Sequence, residues 1–108
     1  VVGLNDRDMA KAVNSLAEMN GGLIAVKNEE IIGSLSLPIA GLMSDEPVNV
    51  VCEKLSKLEE AWKLLGCKME SPFMTMSLLP LAVLPELRIT DKGLVDTVEF
   101  KFVNLFLD

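Results

Sequence analysis

The chain has no histidine and no tyrosine, one tryptophan and only two cysteines, Cys52 and Cys67. The lack of histidine excludes the most. Metal-assisted hydrolysis needs ligands that hold an ion and leave room for water, and imidazole usually supplies them. The His-x-Glu and Pro-Cys-x-x-Cys pattern of zinc nucleobase deaminases is missing. A Ser–His or Cys–His nucleophile pair cannot form. Two cysteines make neither a disulfide framework nor a four-cysteine zinc site. They read as free thiols in a cytoplasmic setting, with Cys52 a small core hydrophobe. Basic charge is also scarce: 10 basic residues face 16 acidic ones, for a net charge of −6. The basic residues are scattered, which opposes binding to nucleic acid or to an anionic membrane surface. There is no glycine-rich phosphate loop. No apolar run reaches the roughly 20 residues of a membrane span, because Pro80 and Pro85 break the longest one. No secretory signal, repeat, linker or low-complexity tract is visible.

Hydrophobic residues are abundant, at 50% of the chain, with a mean hydropathy of +0.38. A length of 108 residues implies one domain, and this much apolar content implies that part of its surface is covered by something else. The chain begins at Val, and the expectation is a piece of a longer protein.

Periodicity predicts a helix over 6–19. Asn5 caps it, Asp6 and Asp8 sit in its first turn, and Met9, Ala12, Val13 and Leu16 share one face. Gly21-Gly22 ends it with a left-handed cap. A buried strand over 23–26, a polar turn over 27–30 and a strand over 31–37 read as a hairpin. Gly33 marks either a bulge or a close packing contact. A second helix starts at a Ser44 cap, with Asp45, Glu46 and Pro47 in its first turn. Its apolar stripe runs through Val48, Val51, Cys52, Leu55, Leu58, Trp62 and Leu65, and Gly66 ends it. Residues 72–84 read as an irregular apolar segment or a short helix broken by Pro80, with Leu79 and Leu84 extended ahead of prolines. A strand over 86–90, a turn over 90–93 and a final strand over 100–107, central or covered, complete the chain. The fold class is α+β: a mostly antiparallel sheet of about four strands, with two main helices packed on one face.

The segment between hairpin and second helix breaks the usual grammar. Pro38-Ile39-Ala40-Gly41-Leu42-Met43 is apolar yet loop-like, whereas loops are usually polar. Pro38-Ile39-Ala40-Gly41-Leu42-Met43-Ser44-Asp45 resembles a signature of the C-terminal domain of bacterial and archaeal adenine deaminases. Pro72-Phe73-Met74-Thr75-Met76-Ser77, followed by Leu84-Pro85-Glu86-Leu87-Arg88-Ile89-Thr90-Asp91-Lys92-Gly93-Leu94-Val95-Asp96, resembles another. Val1-Val2-Gly3 with Asn5-Asp6 and Asp8-Met9 fits the entry into that domain. The likeness covers essentially the whole chain, in order.

The resemblance implies an accessory domain, 1–108, of an amidohydrolase whose catalytic barrel lies outside this sequence. That enzyme hydrolyses adenine to hypoxanthine and ammonia in purine salvage, using a divalent metal pair of manganese or iron. None of the family's metal-ligand positions maps here, so no catalytic, cofactor-binding or metal residue is assigned, and the domain alone is expected to be inactive. Its expected partners are the barrel of the same polypeptide and a second copy in a homo-oligomer. The candidate interdomain or substrate-proximal positions are Gly41, Met43, Ser44, Asp45, Phe73, Met74, Thr75 and Ser77. The bland reading of Asp45 and Glu46 is helix capping, and that of Asp91 and Asp96 is turn chemistry. Arg88 reads as a solvated side chain or as one half of an interface pair, and the methionines as packing. The alternative to an accessory domain is a free-standing interaction or small-ligand module that uses the same apolar surface.

Overall fold

A computed structural model describes residues 1–106. Among them are three helices and five strands in two antiparallel sheets, an α+β arrangement. The chain divides into two compact units, Val1–Lys68 and Met69–Asp108. The expected single sheet of about four strands is thus two sheets, one in each unit. None of the described helices is long and apolar enough to cross a membrane.

The first unit opens with helix α1, Asp6–Glu18. The Asn5 side chain accepts the Asp8 amide at 2.8 Å, as the sequence suggested. At the other end Asn20 donates to Ala17 and Gly21 donates to Leu16, the two bonds of a Schellman cap. The left-handed residue of that cap is Asn20, with φ 59°, and not the following glycine.

Strands β1, Gly22–Lys27, and β2, Glu30–Ser36, form the expected hairpin. Its register shifts between Ala25 and Val26, which pair with Gly33 and Ile31 and leave Ile32 as the extra residue of a bulge. Gly33 also meets helix α2, Val48–Leu64: a Cβ on it would lie 3.1 Å from the Ala61 Cβ. Both readings of Gly33 therefore hold. Helix α1 lies against β1, and α2 lies against β2 and part of β1. Ala12, Ala25, Val26, Leu35, Leu58, Ala61 and Trp62 are buried, with Trp62 only 7% exposed.

Two expectations about α2 fail. The helix begins at Val48 with Pro47 as N-cap, so Ser44, Asp45 and Glu46 lie ahead of it. A Ser44 cap would have made Pro47 the third helical residue, where proline has no N–H to offer, and Glu46 before proline is steered out of helical geometry. Second, Cys52 is exposed. The buried positions of α2 are Leu58, Ala61 and Trp62, in its second half, and Val48 and Leu65 are exposed as well. Gly66 ends the helix as expected, with Cys67 donating to Trp62 and Gly66 to Lys63.

In the second unit, residues 72–84 resolve into helix α3, Pro72–Leu78, followed by turns. Pro72 suits the first turn, where its missing N–H costs nothing. Leu79 is helical, φ −64° and ψ −44°, not extended: the helix cap overrides the mild preference of a residue preceding proline. Strands β3, Leu87–Thr90, β4, Gly93–Asp96, and β5, Lys101–Phe102, form a three-stranded sheet in that order. The expected strand over 100–107 is reduced to the two residues of β5, at a sheet edge, and Phe100, Phe102 and Phe106 are exposed. Leu107 lies outside the described residues.

Candidate functional site

In the first unit, Gly41, Met43, Ser44 and Asp45 belong to a small excursion between β2 and α2. Ile39 and Met43 form an isolated antiparallel bridge, each donating to the other's carbonyl at 3.1 Å, and Leu42 donates to Ile39 at 3.0 Å across the turn between them. The two residues at its tip, Ala40 and Gly41, have φ 56° and 72°, the left-handed pair of a type I′ turn. A Cβ at Gly41 would touch nothing within 4 Å, so the backbone angle, not space, calls for glycine there. The excursion is pinned to Gly21 at two points, its base at Leu37 and its turn at Gly41. Leu37 donates to the Gly21 carbonyl at 3.1 Å, and Gly21 packs so closely that a Cβ on it would lie 2.6 Å from the Gly41 Cα. The tip is apolar and open: Leu42 is 78% exposed and Met43 58%.

The acids beside this turn have separate fates. The Ser44 hydroxyl accepts the Glu46 amide at 3.1 Å, and Glu46 pairs with Lys54 one turn and more into α2. Both partners are partly solvated, so the pair adds little stability but fixes the entry into the helix. Asp45 is exposed. The Glu46–Lys54 contact was not legible in the sequence. Eight residues separate the two, and only the non-helical bend at Pro47 brings them together.

Phe73, Met74, Thr75 and Ser77 lie on α3 in the second unit. Thr75 and Ser77 spend their hydroxyls on their own helix, donating to the Ser71 carbonyl at 3.2 Å and the Met74 carbonyl at 2.7 Å. They are thereby occupied in bonds back to the preceding turn of the helix. Met74 is 66% exposed, and Phe73 is half-buried. Further along, the Arg88 guanidinium donates to the Leu87 and Pro85 carbonyls, each at 2.7 Å, and its buried Nε has no hydrogen-bond partner among the described residues. It is neither freely solvated nor half of an ion pair among those residues.

An open depression in this unit is lined by Glu86, Leu87, Asp96, Val98 and Glu99. The neighbouring Thr97 is buried, with its hydroxyl donating to the Leu84 carbonyl at 2.8 Å. Asp96 is committed to turn chemistry, as expected. One of its oxygens accepts the Val98 and Glu99 amides at 2.9 Å, and the Glu99 bond leads in holding its carboxyl below the ordinary range. Among the described residues, no three of His, Cys, Asp or Glu gather as metal ligands would.

The turn at 39–43 and helix α3 thus each present exposed apolar side chains. Residues 1–101 match the family model described as the adenine deaminase C-terminal domain. The chain is 54% identical over all 108 of its residues to an adenine deaminase of Clostridium botulinum, covering 18% of that protein. It is 56% identical over 105 residues, 97% of the chain, to an adenine deaminase of Moorella thermoacetica, again covering 18% of it. It is 47% identical over 108 residues to one of Thermosipho melanesiensis, covering 19%. The chain therefore spans less than a fifth of the length of these relatives, and it belongs to the adenine deaminase C-terminal domain family.

Proposed function

We propose that this chain is the accessory C-terminal domain of an enzyme that hydrolyses adenine to hypoxanthine and ammonia, and that it braces the catalytic part of the same polypeptide. The observation that carries this reading is the exposed apolar turn at Ile39, Leu42 and Met43, in a chain whose relatives are more than five times its length. Large apolar groups held open to water on an ordered turn are costly unless covered, and the remainder of the polypeptide is the partner at hand. Helix α3, with Met74 and Leu78 exposed, offers a second apolar surface of the same kind.

The manganese or iron pair implied by the family likeness does not fit this chain. The chain has no histidine, and its described carboxylates and thiols do not cluster. Such ions would be held by the remainder of the polypeptide, where they would supply an activated water. The present residues contribute packing, not proton transfer. Two free thiols accord with a cytoplasmic setting.

The test is made in the full-length protein. Wild type should release ammonia from adenine. Leu42→Asp and Met74→Asp should each lower that activity together with the thermal stability of the catalytic part, because each places a charge in an apolar contact. Unaltered activity, stability and oligomeric state in both variants would remove the bracing role. Tight binding of adenine by the 108-residue chain alone would favour a ligand-binding module instead.

A further inference from the structure

Asn20 is followed by Gly21. This dipeptide is prone to a known side reaction, because glycine puts no side chain in the way of its own backbone nitrogen. That nitrogen, having lost its proton to hydroxide, attacks the Asn20 Cγ. The new C–N bond closes a five-membered imide, the Cγ–Nδ2 bond breaks, and the departing nitrogen takes a proton from water and leaves as ammonia. Water then opens the imide at either carbonyl and leaves aspartate or isoaspartate at position 20.

In the folded chain the nucleophile is engaged. The Gly21 amide donates to the Leu16 carbonyl at 3.0 Å as the outer bond of the α1 cap. Asn20 is held at φ 59° by the inner bond to Ala17. Gly21 is also clamped from the other side, by Leu37 on its carbonyl and by Gly41 against its α-carbon. The Asn20 side chain itself is exposed, so water reaches it, but the attacking atom is not free to move toward it.

We propose that Asn20-Gly21 is a latent deamidation site, kept shut by the α1 cap and the Gly21–Gly41 contact. Its conversion to isoaspartate would release the apolar turn at 39–43. Isoaspartate adds a backbone methylene between residues 20 and 21. The Leu16, Leu37 and Gly41 contacts of Gly21 cannot all survive that lengthening.

The full-length protein would be aged at mildly alkaline pH, once folded and once in denaturing urea, and each asparagine read by peptide mass and isoaspartate content. In urea, Asn20 should convert fastest, ahead of Asn5, Asn14, Asn28, Asn49 and Asn104. In the folded protein its rate should fall by about tenfold or more, since reaction must wait for local opening. Asn20→Gly, which keeps the left-handed cap, should abolish the signal at that position. After refolding, the aged protein should be cut faster by protease within 38–43 than an unaged control. Equal rates in folded and unfolded protein, or no conversion at Asn20 in urea, would overturn the latent site. An unchanged cleavage pattern would overturn its link to the turn.

Discussion

The Asp8 carboxylate joins two elements that the sequence separates by twenty residues. It accepts the Asn5 side-chain amide at 3.0 Å, the Asn28 amide at 3.1 Å and the Glu29 amide at 2.6 Å. The Asn5 bond leads in holding its carboxyl below the ordinary value of 3.8, with Glu29 and Asn28 adding to it and partial desolvation opposing. A carboxyl depressed in the folded state stabilises above its unfolded value, and that contribution is lost as pH falls through the folded one. Asp8→Asn should therefore lower stability at neutral pH and flatten the loss of stability between neutral and strongly acidic pH. Urea titration at a series of pH values checks this, and parallel curves for the two proteins would refute it. Glu29, at φ 65°, occupies a turn position that a side chain resists. Its ion pair with Arg7 is highly exposed and worth little. Glu29→Gly should therefore raise stability by about 0.5–1 kcal/mol, read from the same titrations.

Among the elements, α2 shows what a stripe of apolar residues does and does not reveal. Leu58 and Trp62 are buried against the hairpin, so Trp62→Ala should cost about 3–5 kcal/mol in a denaturant titration that follows this unit. A loss below about 1 kcal/mol would contradict the burial. The same stripe placed Cys52 and Val48 in the core, and they are on the surface. Helical spacing fixes which side of a helix is apolar, but not how much of its length a partner covers. α1, the hairpin and the end of α2 were legible because caps, glycines and alternation are local signals. β4 was not expected, and β5 is only two residues of the strand expected over 100–107, because strands this short gain their extent from pairing across the chain. The same limit applies to the candidate site. Its apolar composition was plain in the sequence. The contact of Gly21 with Gly41, which seats the turn on the α1 cap, joins residues twenty positions apart and leaves no local mark.

At the scale of the molecule, hydropathy and charge pull in opposite directions. Phe100, Phe102, Leu105 and Phe106 are exposed in the second unit, as Leu42, Met43 and Val48 are in the first, while the chain carries a net charge of −6. Apolar exposure on this scale favours association of identical copies, and like net charge opposes it over the roughly 8 Å screening length of physiological salt. The 108-residue chain on its own should therefore self-associate, and more strongly as salt is raised. Sedimentation velocity across protein and salt concentration measures both trends. Phe100→Asp and Phe106→Asp should each weaken association, by removing an apolar contact and adding to the repulsion. Strictly monomeric behaviour at every salt concentration would mean that these side chains do not form an adhesive surface. Association that weakens with salt would instead point to complementary charge, which the scattered basic residues do not supply.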